Sequence, residues 1–211
     1  MKISVSYLSS KHSETETIKK IDNSMADYIH VDLMDGKFVE AKNFTIGSVI
    51  KLLSTVSKSL DVHLMTLKPE KYFLDLATLN TEYITVHYEA IKNIESVIEN
   101  IKSLGLKAGL SIKPETSVEE IKEYLPKLDQ VLIMSVNPGR GGQDFMPEVI
   151  DKINCLNEYR TKNNLNFIIS VDGGINKDTV TYIKDVGVDM IVSGSYICNS
   201  DNFNEKISSL K

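Results

Sequence analysis

A chain of 211 residues, 42% of them hydrophobic, is long enough for one substantial core and short for two ordinary domains, so a single domain over 1–211 is expected. Its net charge of -5 comes from acidic and basic residues that are interspersed, which leaves no basic stripe for nucleic acid and points to a small-molecule partner. No apolar run reaches the roughly 18–20 residues that span a bilayer, and Met1 to Ser6 lacks the regions of a signal peptide, so a soluble cytoplasmic protein is expected.

Short β-rich apolar runs recur in chain order at Ile3 to Leu8, Tyr28 to Met34, Leu60 to Met65, Tyr83 to Tyr88, Lys107 to Ile112, Gln130 to Val136, Asn166 to Asp172 and Met190 to Ser195, eight in all. Helical spacing lies between them. Ile91, Ile94, Val97, Ile98, Ile101 and Leu104 form one apolar stripe that stops at Gly105, a C-terminal cap. The Lys- and Glu-rich segment from Glu115 to Lys127 reads as a solvated helix face. A second amphipathic helix is expected from Pro147 through Val149, Ile150, Ile153, Leu156 and Tyr159, with the proline in its first turn. Cys155 and Cys198 sit in unrelated contexts without CxxC spacing, which is the pattern of incidental thiols rather than of a disulfide or a thiolate metal site.

Strand–helix alternation along the whole chain implies right-handed crossovers and a parallel sheet. Eight units close into an α/β fold of the (β/α)8 TIM-barrel kind, near that fold's lower size limit. A doubly wound open sheet is the alternative, but it makes polar groups from distant strands harder to bring together.

In a barrel the C-terminal strand ends share one rim, and the unusual polar residues lie there: Ser6 and Ser9, His30 and Asp32, His63, His87, Asn137 and Asp172. His30 and Asp32 are two apart in a strand and project to the same face. With His63 and Asp172 they offer two imidazoles and two carboxylates, a divalent-metal site in which some ligands are also proton carriers. Taken singly, a histidine is more often a satisfied core group and Asp before Gly a turn former. His12, in a polar stretch, is expected to face solvent.

Three glycine clusters follow the late strands: Asn137 to Gln143, with Gly139, Arg140, Gly141 and Gly142; Asp172 to Asn176, with Gly173 and Gly174; and Gly194–Ser195. Glycine lets backbone N–H groups approach an anion, and a phosphate held after the last strands is a recurrent barrel feature; each cluster alone is more often a plain turn, and it is the three together that point to a phosphate. Met34, Met65 and Met134 end strands and either fill the core or cushion the site.

At this point the chain resembles the ribulose-phosphate 3-epimerase family along nearly its full length. The segments that carry the resemblance are His30 to Gly36, Leu60 to Met65, Val86 to Ala90, Met134 to Gln143, Val171 to Asn176 and Gly194–Ser195. The resemblance implies a metal-dependent barrel enzyme in which His30, Asp32, His63 and Asp172 hold one divalent ion, and Asp32 and Asp172 exchange protons with the substrate. Zn2+ suits that set, while Fe2+, Mn2+ and Co2+ remain compatible. It further implies substrate and phosphate contacts from Ser6, His63 and the glycine loops, and a homodimer or larger assembly. The expected substrate is a phosphorylated ketose, D-ribulose 5-phosphate giving D-xylulose 5-phosphate.

Related barrel decarboxylases carry an Asp-x-Lys-x-x-Asp strand motif, whereas this chain reads Asp61-Val62-His63 without the lysine, which favours the epimerase branch. Three departures concern the substrate-facing rim. Leu8-Ser9-Ser10-Lys11 lacks the family's Asp, Arg140 stands where an aromatic residue is usual, and the loop from Phe38 to Asn43 lacks the family's proline and is two residues longer. An epimerase of a longer ketose phosphate, such as D-allulose 6-phosphate, and a catalytically silent sugar-phosphate binder are the competing readings.

Overall fold

The computed structural model describes residues 1–211. Eight strands, β1 (Lys2–Ser6), β2 (Tyr28–Met34), β3 (Leu60–Met65), β4 (Thr81–His87), β5 (Lys107–Ile112), β6 (Gln130–Met134), β7 (Ile168–Asp172) and β8 (Met190–Ser193), pair in sequence order, and β1 pairs with β8 to close the barrel. Every pairing is parallel. The fold is the expected (β/α)8 barrel, and closure through β1 and β8 excludes the open-sheet alternative.

Helices α1 (Glu14–Asp22), α2 (Ile46–Leu53), α3 (Phe73–Leu76), α4 (Ile94–Ser103), α5 (Val149–Lys162) and α6 (Val180–Ile183) lie between strands, and α7 (Ser195–Cys198) and α8 (Phe203–Ser208) follow β8. The α4 stripe is as expected, with Ile94, Val97, Ile98 and Ile101 buried. Gly105 sits just beyond its end at φ +77°, a left-handed conformation that suits glycine. Helix α5 starts after Pro147, whose carbonyl accepts from the Ile150 N–H, so the proline precedes the helix rather than entering it.

One expected helix is absent. The segment from Glu115 to Lys127 forms two short 3-10 turns, Val118–Ile121 and Leu125–Lys127, and buries Val118, Ile121 and Leu125. Pro126 lies in the second turn; it lacks an N–H and clashes with a preceding carbonyl, so it blocks an α-helix there. The three apolar anchors have helical spacing, so the periodicity alone does not reveal the break that Pro126 imposes. Elsewhere the expected strands end within two residues or so of the observed ones, because a few terminal positions lack ladder partners.

Strand alternation separates two environments. One set of residues, including Ile3, Val5, Ile29, Val31, Leu64, Val86, Val131 and Ile169, faces the helices and forms the main core of 47 buried residues. The other set faces the barrel axis and is largely polar: Ser4, His30, Asp61, Thr85 and Gln130 are buried there and joined by hydrogen bonds. At the N-terminal end the axis is closed by Tyr28, Tyr83 and Met190. Glu82 accepts from Lys107 Nζ at 2.7 Å and from the Tyr28 hydroxyl at 3.0 Å, adding a polar seal at that end. The opposite end is open to a cavity of about 610 Å3 lined by strand ends and loops. Cys155 is partly buried and Cys198 buried, both as free thiols.

Candidate active site

The ladder brings the four candidate ligands together at one end of the barrel. Asp32 is paired in register with His63 across β2 and β3, Ser6 with His30 across β1 and β2, and Asp172 with Met134 across β7 and β6. One ligand atom from each of His30, Asp32, His63 and Asp172 falls within 4.8 Å of all the others. His30 and His63 are wholly buried and Asp32 nearly so, while the Asp172 side chain keeps 17% exposure toward the cavity.

Each side chain is held. Ser6 Oγ donates to Asp32 Oδ2 at 2.7 Å. His30 Nδ1 contacts Asp61 Oδ2 at 2.8 Å, and Asp61 also accepts from Ser4 Oγ at 2.9 Å. His30 Nε2 points the other way, 3.3 Å from Asp32 Oδ1 and 3.8 Å from Asp172 Oδ2, and it is buried without a hydrogen-bond partner. A buried, unpartnered imidazole nitrogen aimed at two carboxylates is costly unless something occupies the space between them. His63 Nδ1 faces the same two carboxylates at 3.2 and 3.8 Å. Two nitrogen and two oxygen donors around one point could hold a divalent metal ion, and the orphaned His30 Nε2 shows that these residues fit one.

The electrostatics are asymmetric. Burial and the negative charge of Asp32 push the Asp172 carboxyl up to about 6. Burial also acts to raise Asp32, but the charge of the adjacent His30 and the close contact with His63 outweigh it and hold Asp32 well below the usual carboxylate range. His30 in turn is raised: burial opposes its charge, and Asp32 and Asp61 together overcome it. Two neighbouring carboxyls with separated proton affinities are what acid–base exchange at one site requires.

The cavity above the cluster is lined by Ser6, Ser9, Met34, Met65, Met134 and all three glycine clusters. Met34, Met65 and Met134 are buried at its base, packed and lining the cavity at once. Gly139, Gly142, Gly173 and Gly174 have positive φ, and a Cβ on Gly141 would lie 1.7 Å from Ser9 Oγ and 3.0 Å from Ser9 Cβ, so the β1 and β6 loops approach closely there. Gly194 and Ser195 line the same wall, where Ser195 begins α7. Arg140 is exposed at the cavity mouth. His12 is exposed as expected.

Sequence reasoning missed the supporting groups. Asp61 was visible only as part of a motif, yet it is the partner of His30. His87 was noted as a late-strand polar residue without a role; its Nε2 lies 2.9 Å from His63 Nε2, and its Nδ1 lies 3.1 Å from Glu89 Oε2. Burial pushes the His87 imidazole down to about 4 in spite of Glu89. The Phe38 ring packs on His87 at 4.6 Å between centroids, which gives the loop after β2 a fixed seat. Strand parity alone places Asp61 on the axis with His63, two residues on, and was the available signal.

The model of the ribulose-phosphate 3 epimerase family matches residues 2–198. The chain is 41% identical over 200 residues to a ribulose-phosphate 3-epimerase of Synechocystis, covering 93% of this chain and 86% of that protein. It is 36% identical to the Bacillus subtilis protein of the same name, covering 92% and 90%. Among solved structures, KGPDC from Streptococcus mutans superposes with a TM-score of 0.69 at 14% identity over 99% of this chain and 94% of that one, a likeness of fold. The tryptophan synthase subunit alpha from Campylobacter jejuni does so with a TM-score of 0.67 at 15% identity, covering 99% and 93%. With the family model matched over nearly its whole length and such relatives at this identity, the chain belongs to the ribulose-phosphate 3-epimerase family.

Proposed function

We propose that this chain interconverts D-ribulose 5-phosphate and D-xylulose 5-phosphate by inverting C3, with Asp32 and Asp172 as the two proton carriers. The observation that carries this reading is the convergence of those carboxyls, from strands separated in the ring by β1 and β8, at the base of a glycine-lined cavity. A hydrogen at C3, beside a ketone, is weakly acidic. One aspartate removes it, and the other delivers a proton to the opposite face of the planar enediolate, which changes the configuration. Ser6 Oγ, donating to Asp32 Oδ2, orients that carboxylate so that its other oxygen faces the cluster. Inward-facing methionines give the flat intermediate an apolar bed and restrict water.

His30, Asp32, His63 and Asp172 would hold one divalent ion, which when bound stabilises negative charge developing on the substrate's oxygens. Zn2+ fits the donor set best, with Fe2+, Mn2+ and Co2+ as the other candidates. Backbone N–H groups of Gly139, Gly141, Gly142, Gly173, Gly174, Gly194 and Ser195 would take the phosphate and centre C3 between the carboxyls. Arg140 either adds a charged contact to that phosphate or stays in solvent.

One observation favours a second substrate. An open groove of about 750 Å3, bounded by Phe38, Val39, Glu40, Ala41 and the β6 loop, adjoins the site and leaves room for a longer ketose such as D-allulose 6-phosphate. We further propose a cytoplasmic homodimer or larger homo-oligomer, which the family resemblance supports and sedimentation would check; no helix is long and apolar enough to cross a membrane. Steady-state assay against ketose 5- and 6-phosphates tests the reading. Epimerisation of D-ribulose 5-phosphate that falls about 10²–10⁴-fold in Asp172→Asn and in Asp32→Asn supports it, and near-normal turnover in either variant overturns the acid–base roles.

A further inference from the structure

The two histidines of the candidate metal cluster use different ring nitrogens. His30 offers Nε2 and gives Nδ1 to Asp61, whereas His63 offers Nδ1 and turns Nε2 to His87. The first arrangement is common: an outer carboxylate takes one ring proton and leaves the other nitrogen free to bind. The second has a neutral ring in the carboxylate's place, and a neutral imidazole can either donate or accept.

We propose that Glu89 and His87 are positioning residues that set the tautomer of His63 and so free its Nδ1 for the metal. This inference rests on the metal reading of the cluster. The carboxylate of Glu89 only accepts, so His87 Nδ1, 3.1 Å from Glu89 Oε2, carries the proton. His87 is fully buried, which favours the neutral ring, and its Nε2 is then a lone pair. A lone pair at 2.9 Å requires a donor, so His63 carries a proton on Nε2, and Nδ1, 3.2 Å from Asp32 Oδ1, is the nitrogen left to lose its proton and bind an ion. The choice made at Glu89 is thus transmitted through two rings.

Glu89 is itself locked. Its Oε1 accepts from the Lys113 N–H at 2.8 Å and from the Thr116 hydroxyl, two donors on the segment after β5. In Glu89→Gln the amide oxygen would stay on those donors and the amide NH2 would turn to His87 Nδ1. That reverses the chain: His87 becomes protonated on Nε2, donates to His63 Nε2, and leaves the His63 proton on Nδ1, where it blocks the metal. A change of one atom, two side chains removed from the ion, is therefore expected to weaken binding.

The test is divalent-metal affinity, measured with Zn2+ by chelator competition on wild type, Glu89→Gln, His87→Leu and the double variant, with thermal melts to confirm folding. Glu89→Gln should lose about 10–100-fold in affinity, the range usual for outer-shell partners of a metal ligand, and should lose nothing further in the His87→Leu background. Wild-type affinity in Glu89→Gln, or an equal loss from it when His87 is already gone, would overturn the relay and leave Glu89 a loop anchor. The Zn2+-loaded wild type provides a readout that does not depend on any variant's folding: ¹⁵N NMR should find His63 protonated on Nε2, and protonation on Nδ1 overturns the inference. Wild type that binds no Zn2+ at all would instead bring down the metal reading itself.

Discussion

Gly174 follows Asp172 by two residues, and the space around it is closed. Its φ is +66°, and a Cβ added there would lie 2.4 Å from Phe145 N, 2.8 Å from Phe145 Cα and 3.0 Å from Asp144 C, all backbone atoms that cannot swing aside. Gly174→Ala therefore carries two costs. An L-residue in the left-handed region costs about 1–2 kcal/mol. Forcing extra volume against packed backbone typically adds about 1–3 kcal/mol, for a total of about 2–5 kcal/mol. Gly105 separates the two costs, because its φ is +77° but nothing lies within 4 Å of its added Cβ. Gly105→Ala should show the conformational cost alone, about 1–2 kcal/mol. At about 2–4 °C per kcal/mol for a chain of this size, differential scanning calorimetry should find Tm lowered by about 2–8 °C in Gly105→Ala and about 4–20 °C in Gly174→Ala. The Gly174 variant should also show a raised KM, because the β7 loop must move away from the β6 loop; Gly105→Ala should leave KM alone. Equal Tm shifts in the two variants would refute the claim that the β6 and β7 loops are wedged together at the glycine.

Three further outcomes are expected. Elemental analysis of protein purified without chelator should find a divalent metal, and His63→Ala should lower its content since one of the four donors is gone; full metal content and activity would remove His63 from the site. Free ribulose should be a very poor substrate compared with its 5-phosphate, since binding energy at the remote phosphate orients the reacting carbon, and Arg140→Phe should raise KM if the guanidinium meets that phosphate and leave it unchanged if it stays in solvent; comparable efficiency for the free and phosphorylated sugars would contradict a phosphate site. Partial burial acts to raise Asp22, but hydrogen bonds from the Lys58 N–H and from the Ser57 N–H and hydroxyl outweigh it and lower its pKa from 3.8. A depressed folded-state value contributes stability that is present above the unfolded pKa and lost as pH falls through the folded one, so urea titrations should find Asp22→Asn less stable than wild type near neutral pH and the gap closing below 3.8; a gap that persists in acid would contradict the linkage.

The barrel was legible because its two periodicities are plain: alternating β-branched runs bounded by Gly or Pro, and helical stripes such as Ile94 to Ile101 between them. Asp32, His63 and Asp172 were legible because strand order converts late-strand positions into one rim. The segment from Glu115 to Lys127 misled because charge density looks the same on a helix and on a pair of tight turns, and the burial of Val118 and Ile121 depends on packing with α5, which no local window contains. Asp61, His87 and Glu89 were hidden for another reason. Their partners are 31, 24 and 2 residues away, and which ring nitrogen meets which atom is a property of register and rotamer rather than of residue type.

The central claim is that two carboxyls on either side of C3 remove and return a proton. The most direct measurement is NMR of the reaction in deuterated water, started from D-ribulose 5-phosphate and separately from D-xylulose 5-phosphate with the divalent metal present. Proton exchange through Asp32 and Asp172 predicts deuterium at C3 of the product in both directions, and loss of that label, together with turnover, in Asp172→Asn. Product formed in either direction with its C3 hydrogen wholly unlabelled would contradict the account.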